Sequence, residues 1–248
     1  MTMSVAGIYR HPIKGHGREP LAFAMLAPDQ GLPWDRHWAV AHDAAKLDPG
    51  WNPCHNFARG AKAPALMAIE SVLDTATGMV MLRHPDRGEI SFNPDDPGDL
   101  ARFLDWVRPL NPPDRAQPVS IVAAGIAMTD SDFPSISLLS TETCTELGDR
   151  MGMEIDPLRF RANILLRGAL PFEEFDLVGK RIRIGKSVLE VVERIVRCRA
   201  TMADPHTGVI DADTLAALTK HYGHQQLGIY ARVIEGGEIR VEDDLVVV

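Results

Sequence analysis

Short apolar runs broken by turn residues dominate this chain, and that punctuation limits its fold more than any other feature. The 248 residues include 20 glycines and 18 prolines. Residues 4–13 read as a strand leading into a turn at Pro12, and 38–41 as another short strand. The segment 42–56, rich in Asp, Pro, Gly and Asn, reads as a long loop. Residues 65–69 and 79–82 are expected to be strands parted by the turn residues Thr77-Gly78. Leu100, Phe103, Leu104 and Val107 fall at helical spacing, which predicts a helix over 99–107 that stops before Pro109. Four prolines in 108–118 mark a linker. Beyond it, Ser140 opens a helix with Cys144, Leu147 and Met151 on one face. Residues 163–166 form a short strand, and Gly185-Lys186 joins a hairpin of 181–184 with 187–192. A strand then runs toward Cys198. Asp211 is the expected N-cap of a helix carrying Leu215, Leu218 and Tyr222, closed by Gly223. Two last strands, 228–234 and 239–248, meet at Gly236-Gly237. Many short strands with a few helices predict a mixed α/β, β-rich fold, a barrel with helical insertions.

Composition excludes some functions. The net charge is −8, which argues against a general nucleic-acid binder, since such proteins need a basic surface. No stretch is long and apolar enough to span a bilayer, so no membrane partner is expected. The first residues lack the apolar run of a signal peptide. The three cysteines are Cys54, Cys144 and Cys198. That number fits a reducing cytoplasm better than a disulfide framework, and cytoplasmic localisation is expected. It also rules out an iron–sulfur cluster held by four cysteines of one chain.

A few residues stand out chemically. Cys198 lies between Arg197 and Arg199 and precedes Asp204-Pro205-His206-Thr207-Gly208, whose turn chemistry would suit wrapping a ligand. A lone cysteine after a β-rich run is more often a small buried hydrophobe. If the strand continued through Cys198, both arginines would point away from the thiol. Arg159 and Arg161, read as sharing a strand face, would form a fork for an anion, against the alternative of a solvated edge. Lys14 follows a turn and precedes Gly15. Arg36 precedes an apolar strand. Ser140 and Thr141 open a helix, a place for an anion or for simple capping. Cys54 with His55, His37 and His42 matches no standard zinc spacing. Cys198 with His206 would be a nucleophile and base without a third partner.

Taken in order, these motifs resemble the MOSC family, named for the C-terminal domain of molybdenum cofactor sulfurases. The likeness is to its two-part members, such as the mitochondrial amidoxime-reducing component and its bacterial relatives. It is carried by residues 9–14, Asp35-Arg36-x-Trp38, Asn56-Phe57-x-Arg59 and Pro64-x-Leu66, then by 136–141, 159–163, Pro171-Phe172, Arg197-Cys198, Asp204-Pro205-x-Thr207-Gly208 and Gly228-Ile229-Tyr230. The resemblance implies an N-terminal β-barrel-like domain at 1–115 and a MOSC β-barrel at 116–248. It implies a molybdenum cofactor, a molybdopterin with Cys198 as the catalytic metal ligand. Lys14, Arg36, Ser140, Thr141, Arg161 and Asn163 would contact the cofactor. The implied activity is reduction of small N-hydroxylated compounds, or of S- or N-oxides, with electrons from a separate flavoprotein or iron–sulfur donor. A cofactor carrier or sulfur-transfer accessory protein is the alternative. The chain departs from the family pattern at Arg10-His11, where relatives often carry an aromatic residue. Gly15 stands where a serine is common, Trp34 where a glycine is frequent, and Glu242-Asp243 where Gly-Asp is usual.

Overall fold

The computed structural model describes residues 3–248. Its N-terminal third contains β1 (Ser4–Arg10), β2 (Ile13–Lys14), β3 (Glu19–Leu21), β4 (Phe23–Leu26) and β5 (Trp38–His42). A three-strand meander follows, with β6 (Glu70–Leu73), β7 (Val80–His84) and β8 (Gly88–Phe92). Asp96 caps α1 (Pro97–Val107) by accepting from the Gly98 N–H, and Pro97 occupies the first turn where no N–H is needed. Phe103, Leu104 and Val107 bury its inner face against Trp38, Leu82 and Phe92. After the 108–117 connection, β9 (Pro118–Ala123) returns to pair antiparallel with β5. The remaining elements are β10 (Ile136–Ser140), α2 (Thr141–Met151), β11 (Ile164–Arg167), β12 (Arg181–Ile184), β13 (Ser187–Val196), α3 (Thr214–Tyr222), β14 (Gln226–Glu235), β15 (Gly237–Arg240) and β16 (Leu245–Val247).

The main sheet has eight strands in the order β16-β12-β13-β14-β10-β11-β1-β3. Strands from both ends of the chain therefore share one sheet. It curls until the last segment returns to the first strand: Val5 N–H donates to Asp243 O at 2.9 Å and Leu245 N–H to Met3 O at 2.8 Å. Period-two burial is explicit in β10 and β11. Leu138, Ile164 and Leu166 point into the barrel core with Val191, Ile229 and Val233. Their neighbours Leu139 and Leu165 point out, under Cys144, Leu147 and Leu218 of α2 and α3. Both faces of these strands are thus buried, and Cys144 is a packing residue whose thiol burial pushes up.

Several expectations are corrected. Residues 65–69 are not a strand: Pro64 opens a 3₁₀ turn, Pro64–Ala68, and β6 begins at Glu70. A run of buried apolar residues, Leu66 to Ile69, cannot by itself distinguish turn from strand. The cap of α3 is Asp213, which accepts from Ala216 N–H; Asp211 is held by Arg159 instead. The final segment is two strands with separate partners, β15 on β4 and β16 on β12. Arg159 and Arg161 do not share a strand face. Asp156-Pro157 starts a 3₁₀ turn, Pro157–Phe160, and Arg161 leaves it in the left-handed region at φ 50°.

Candidate functional site

Where the N-terminal strands meet β13 and β14, a cleft of about 410 Å³ opens, a size within the usual range for small-molecule sites. Lys14, Arg36, Arg161 and Cys198 all line it. Ser140, Thr141 and Asn163 are not among its lining residues. Ser140 caps α2, and Thr141 donates to Leu166 O at 3.0 Å. Asn163 is buried one layer behind the wall, where its side-chain oxygen accepts from the backbone N–H and hydroxyl of Ser137, a cleft residue.

The cationic floor is built by backbone geometry. Lys14 on β2 is 5% exposed, and its Nζ donates to Met128 O at 2.7 Å and to Asp130 Oδ1 at 2.5 Å. Gly15, at φ +74°, lets the turn press against Ala58: a Cβ there would lie 2.8 Å from Ala58 O. Serine at this position would be strained by the backbone approach as well as by φ. Arg36 sits at φ 51° and Arg161 at φ 50°. Two non-glycine residues held left-handed side by side store local strain. They brace each other, since Arg36 Nη2 donates to Arg161 O at 3.1 Å. Arg36 Nη1 also donates to Asp35, which accepts from the His11 N–H at 2.7 Å. Burial alone would push Asp35 up, but the Arg36 guanidinium and the His11 contacts hold its carboxyl well below the usual range. The Arg161 side chain makes one hydrogen bond among the described residues, Nη2 to Gly17 O at 2.9 Å. Burial, with Arg36 and Arg18 nearby, lowers its pKa to about 9. Among the described residues this guanidinium makes no salt bridge, and its one side-chain partner is a carbonyl.

Two buried histidines support this floor from behind. Burial lowers His11 to about 3, helped by Arg161, and lowers His16 to about 4. Both are neutral in the folded protein and ordinary near 6.5 when unfolded. Their contribution to stability is therefore complete above about pH 6.5 and lost progressively as the pH falls toward 3–4. The urea midpoint should drop between about pH 7.5 and about pH 5; an equal or higher midpoint at the lower pH would contradict their buried, neutral state.

Cys198 follows β13 and begins the turn Arg199–Met202. Its side chain is exposed and opens onto the cleft. Arg197 does not point away from the site. It lines the same cleft, its Nε donates to Leu227 O at 2.7 Å and its Nη1 to Phe160 O at 2.9 Å, and it lies over the Phe160 ring. Its Nη2 is buried without a partner, a costly state that a ligand oxygen would relieve. Arg159 also reaches the cleft, yet both its terminal nitrogens are spent on Asp211, at 2.7 and 2.8 Å. His206 belongs elsewhere. It bonds Asp156 at 2.8 Å and faces a separate groove, so it is no base for Cys198. The turn after it packs Gly208 against Ala65 rather than around the cleft.

Sequence reasoning passed over Asp130, weighed Cys54 only as a zinc ligand, and quoted Arg59 and Tyr230 only within motifs. Arg59 Nη1 lies 2.5 Å from Cys54 Sγ, and burial with Asp130 pushes the Tyr230 phenol up to about 12. The cluster Thr129-Asp130-Ser131 carried one usable signal, polar turn residues just before a buried strand.

Fold and site define a barrel protein whose exposed thiol opens onto a cation-lined cleft. Residues 128–246 match the MOSC domain and residues 2–105 the MOSC N-terminal beta barrel domain, and the chain belongs to the MOSC family. It is similar to the molybdenum cofactor sulfurase of Caenorhabditis elegans, 35% identical over 106 residues, covering 41% of this chain and 14% of that protein. It is also similar to mitochondrial amidoxime reducing component 2 of Bos taurus, 28% identical over 124 residues, covering 45% of this chain and 36% of that one. The matches thus span well under half of these curated relatives. Among solved structures, the YUAD protein from Bacillus subtilis shares the fold at a TM-score of 0.51 and 16% identity, covering 99% of this chain and 94% of that one. Among the described residues no helix is long and apolar enough to cross a membrane.

Proposed function

We propose that this chain is a molybdenum-cofactor oxidoreductase that removes oxygen from small N-hydroxylated compounds, or from S- or N-oxides. The observation that carries the reading is one cleft holding an exposed thiol, Cys198, together with Lys14, Arg36 and Arg161. The donor set fits the group. A soft thiolate suits a metal already bound by dithiolene sulfurs. A buried phosphate needs paired cationic donors, and Arg161 is a guanidinium without a carboxylate partner among the described residues. The orphaned Arg197 Nη2 offers a further donor to an oxygen of the bound group. When bound, the cofactor supplies two-electron oxygen-atom chemistry. The chain's own residues anchor it through Cys198, neutralise its phosphate through Lys14, Arg36 and Arg161, and shape the space beside the thiol.

The overall reaction consumes two electrons and two protons and releases the deoxygenated product and water. The electrons would be supplied by a flavin or iron–sulfur donor outside these 248 residues, whose three cysteines cannot build a four-cysteine cluster. A second reading, a carrier or sulfur-transfer accessory protein, is favoured by the similarity to a molybdenum cofactor sulfurase. Substrate-dependent reoxidation separates the two: chemically reduced protein that is reoxidised by an amidoxime with stoichiometric amidine formation is a reductase, and protein that is not is a carrier. Arg161→Ala should lose cofactor on dialysis at least about tenfold faster than wild type, as expected when one charge-assisted phosphate contact is removed. Molybdenum and pterin content before and after dialysis check this; equal retention would remove Arg161 from the phosphate seat.

A further inference from the structure

The cleft carries more positive charge than a cofactor seat requires. Eight of its lining side chains are Lys or Arg, and one, Asp130, is acidic. Asp130 is taken by Lys14, Arg36 by Asp35, and Arg159 by Asp211 and Asp204. Lys14, Arg36 and Arg161 form the buried end. Arg59, Lys62 and Arg199 lie on the exposed side, and among the described residues none of these three makes a salt bridge, although the chain as a whole carries −8. Arg59 is half-buried, and its one side-chain hydrogen bond goes to Cys54 Sγ.

Packing puts these cations beside the thiol. Arg199 adjoins Cys198 in the chain. The 59–62 segment packs against the turn that follows: a Cβ on Gly60 would lie in ordinary contact, 3.4 Å, with the Ala200 Cβ. Three cations thus converge where a substrate would enter, beyond the three assigned to the phosphate. Val196, Met67 and Ala200 line the same cleft and give it apolar surface.

We propose that Arg59, Lys62 and Arg199 form a carboxylate-binding subsite, so that the preferred substrates are oxidised nitrogen or sulfur compounds with an apolar body and an anionic group. This deepens the proposed reductase reading and rests on it for the reaction, while the binding itself does not depend on turnover. Like-signed cations left unpaired at a mouth raise the local concentration of anions and lower the cost of desolvating one.

The test has a binding arm and a turnover arm, both on the protein as purified with its cofactor. Calorimetry with benzoate and with benzamide should give at least about tenfold tighter binding of benzoate, as for a charge-assisted contact. Most of that preference should vanish in Arg59→Gln/Lys62→Gln/Arg199→Gln. Lys62→Glu, at an exposed position, should by itself weaken benzoate about fivefold. Equal binding of the two probes, or a benzoate preference unchanged in both variants, overturns the subsite. In turnover, the ratio of kcat/KM for a para-carboxylate benzamidoxime over its para-carboxamide analogue should fall to near one in the triple variant, through KM. Benzoate preference intact with neither amidoxime reduced would sink the reductase reading and still support the subsite. Substitutions that alter only the salt dependence of reduction by the electron donor would assign these cations to the donor and overturn the proposal.

Discussion

Cys198→Ser is expected to abolish substrate reduction, by more than the roughly 10–100-fold typical of residues that only orient a metal ligand. The side chain at this position is exposed, so the substitution removes no core packing and the protein should fold as before. A hydroxyl is a hard, weakly acidic donor, and it replaces poorly a thiolate that matches a thiophilic metal. Molybdenum analysis and the visible spectrum of the variant beside wild type provide the check. The metal should be lost, or its sulfur-to-metal absorption changed, together with activity. Full activity with an unchanged spectrum would remove Cys198 from the metal. Cys54, in the same cleft, provides the control: Cys54→Ser should keep the metal.

Asp35→Ala carries the largest expected stability effect. Asp35 is 2% exposed, accepts from the His11 backbone and sits against the Arg36 guanidinium. Removing it leaves Arg36 without its carboxylate and His11 N–H without an acceptor. Breaking a buried ion pair from one side costs about 3–5 kcal/mol. The denaturant midpoint should fall accordingly with the slope unchanged. A loss below about 1 kcal/mol, the level of an exposed pair, would show that the pair is effectively solvated. Cofactor retention should fall in parallel, because Arg36 donates to Arg161 O and the two left-handed arginines position each other.

Much of the architecture was legible from local chemistry. Ser140 before an amphipathic run gave α2, Gly185-Lys186 gave the β12–β13 hairpin, and Gly223 closes α3 in the left-handed region. Two departures from the family pattern also have a local reason. Trp34 and Glu242 stand where relatives favour glycine, and both are held at positive φ, 64° and 77°. The backbone there needs the left-handed region, which glycine enters without strain and these side chains do not. Glu242 is tied by an ion pair to Arg167. Other features were invisible. Nothing local says that the chain end closes onto β1, or that β15 pairs with β4.

The amino-acid sequence by itself determined the strand-and-turn grammar, the helix caps, the family and the residue types available to the site: one thiol among flanking arginines, a lysine after a turn, and paired arginines near residue 160. Tertiary structure decided which of those groups are free. Arg159 and Arg161 are two residues apart and chemically identical, yet Arg159 is neutralised by Asp211, brought to it from 52 positions away, while Arg161 faces the cleft with a single carbonyl partner. Ser140 is consumed by its helix and Asn163 by Ser137. Arg59, quoted only within a motif, and Lys62, in none, arrive in the same cleft as Cys198 because their segment packs near the turn at Ala200. Hydrogen-bond and charge partners are chosen by long-range packing, and a local pattern of residue types contains no record of that choice.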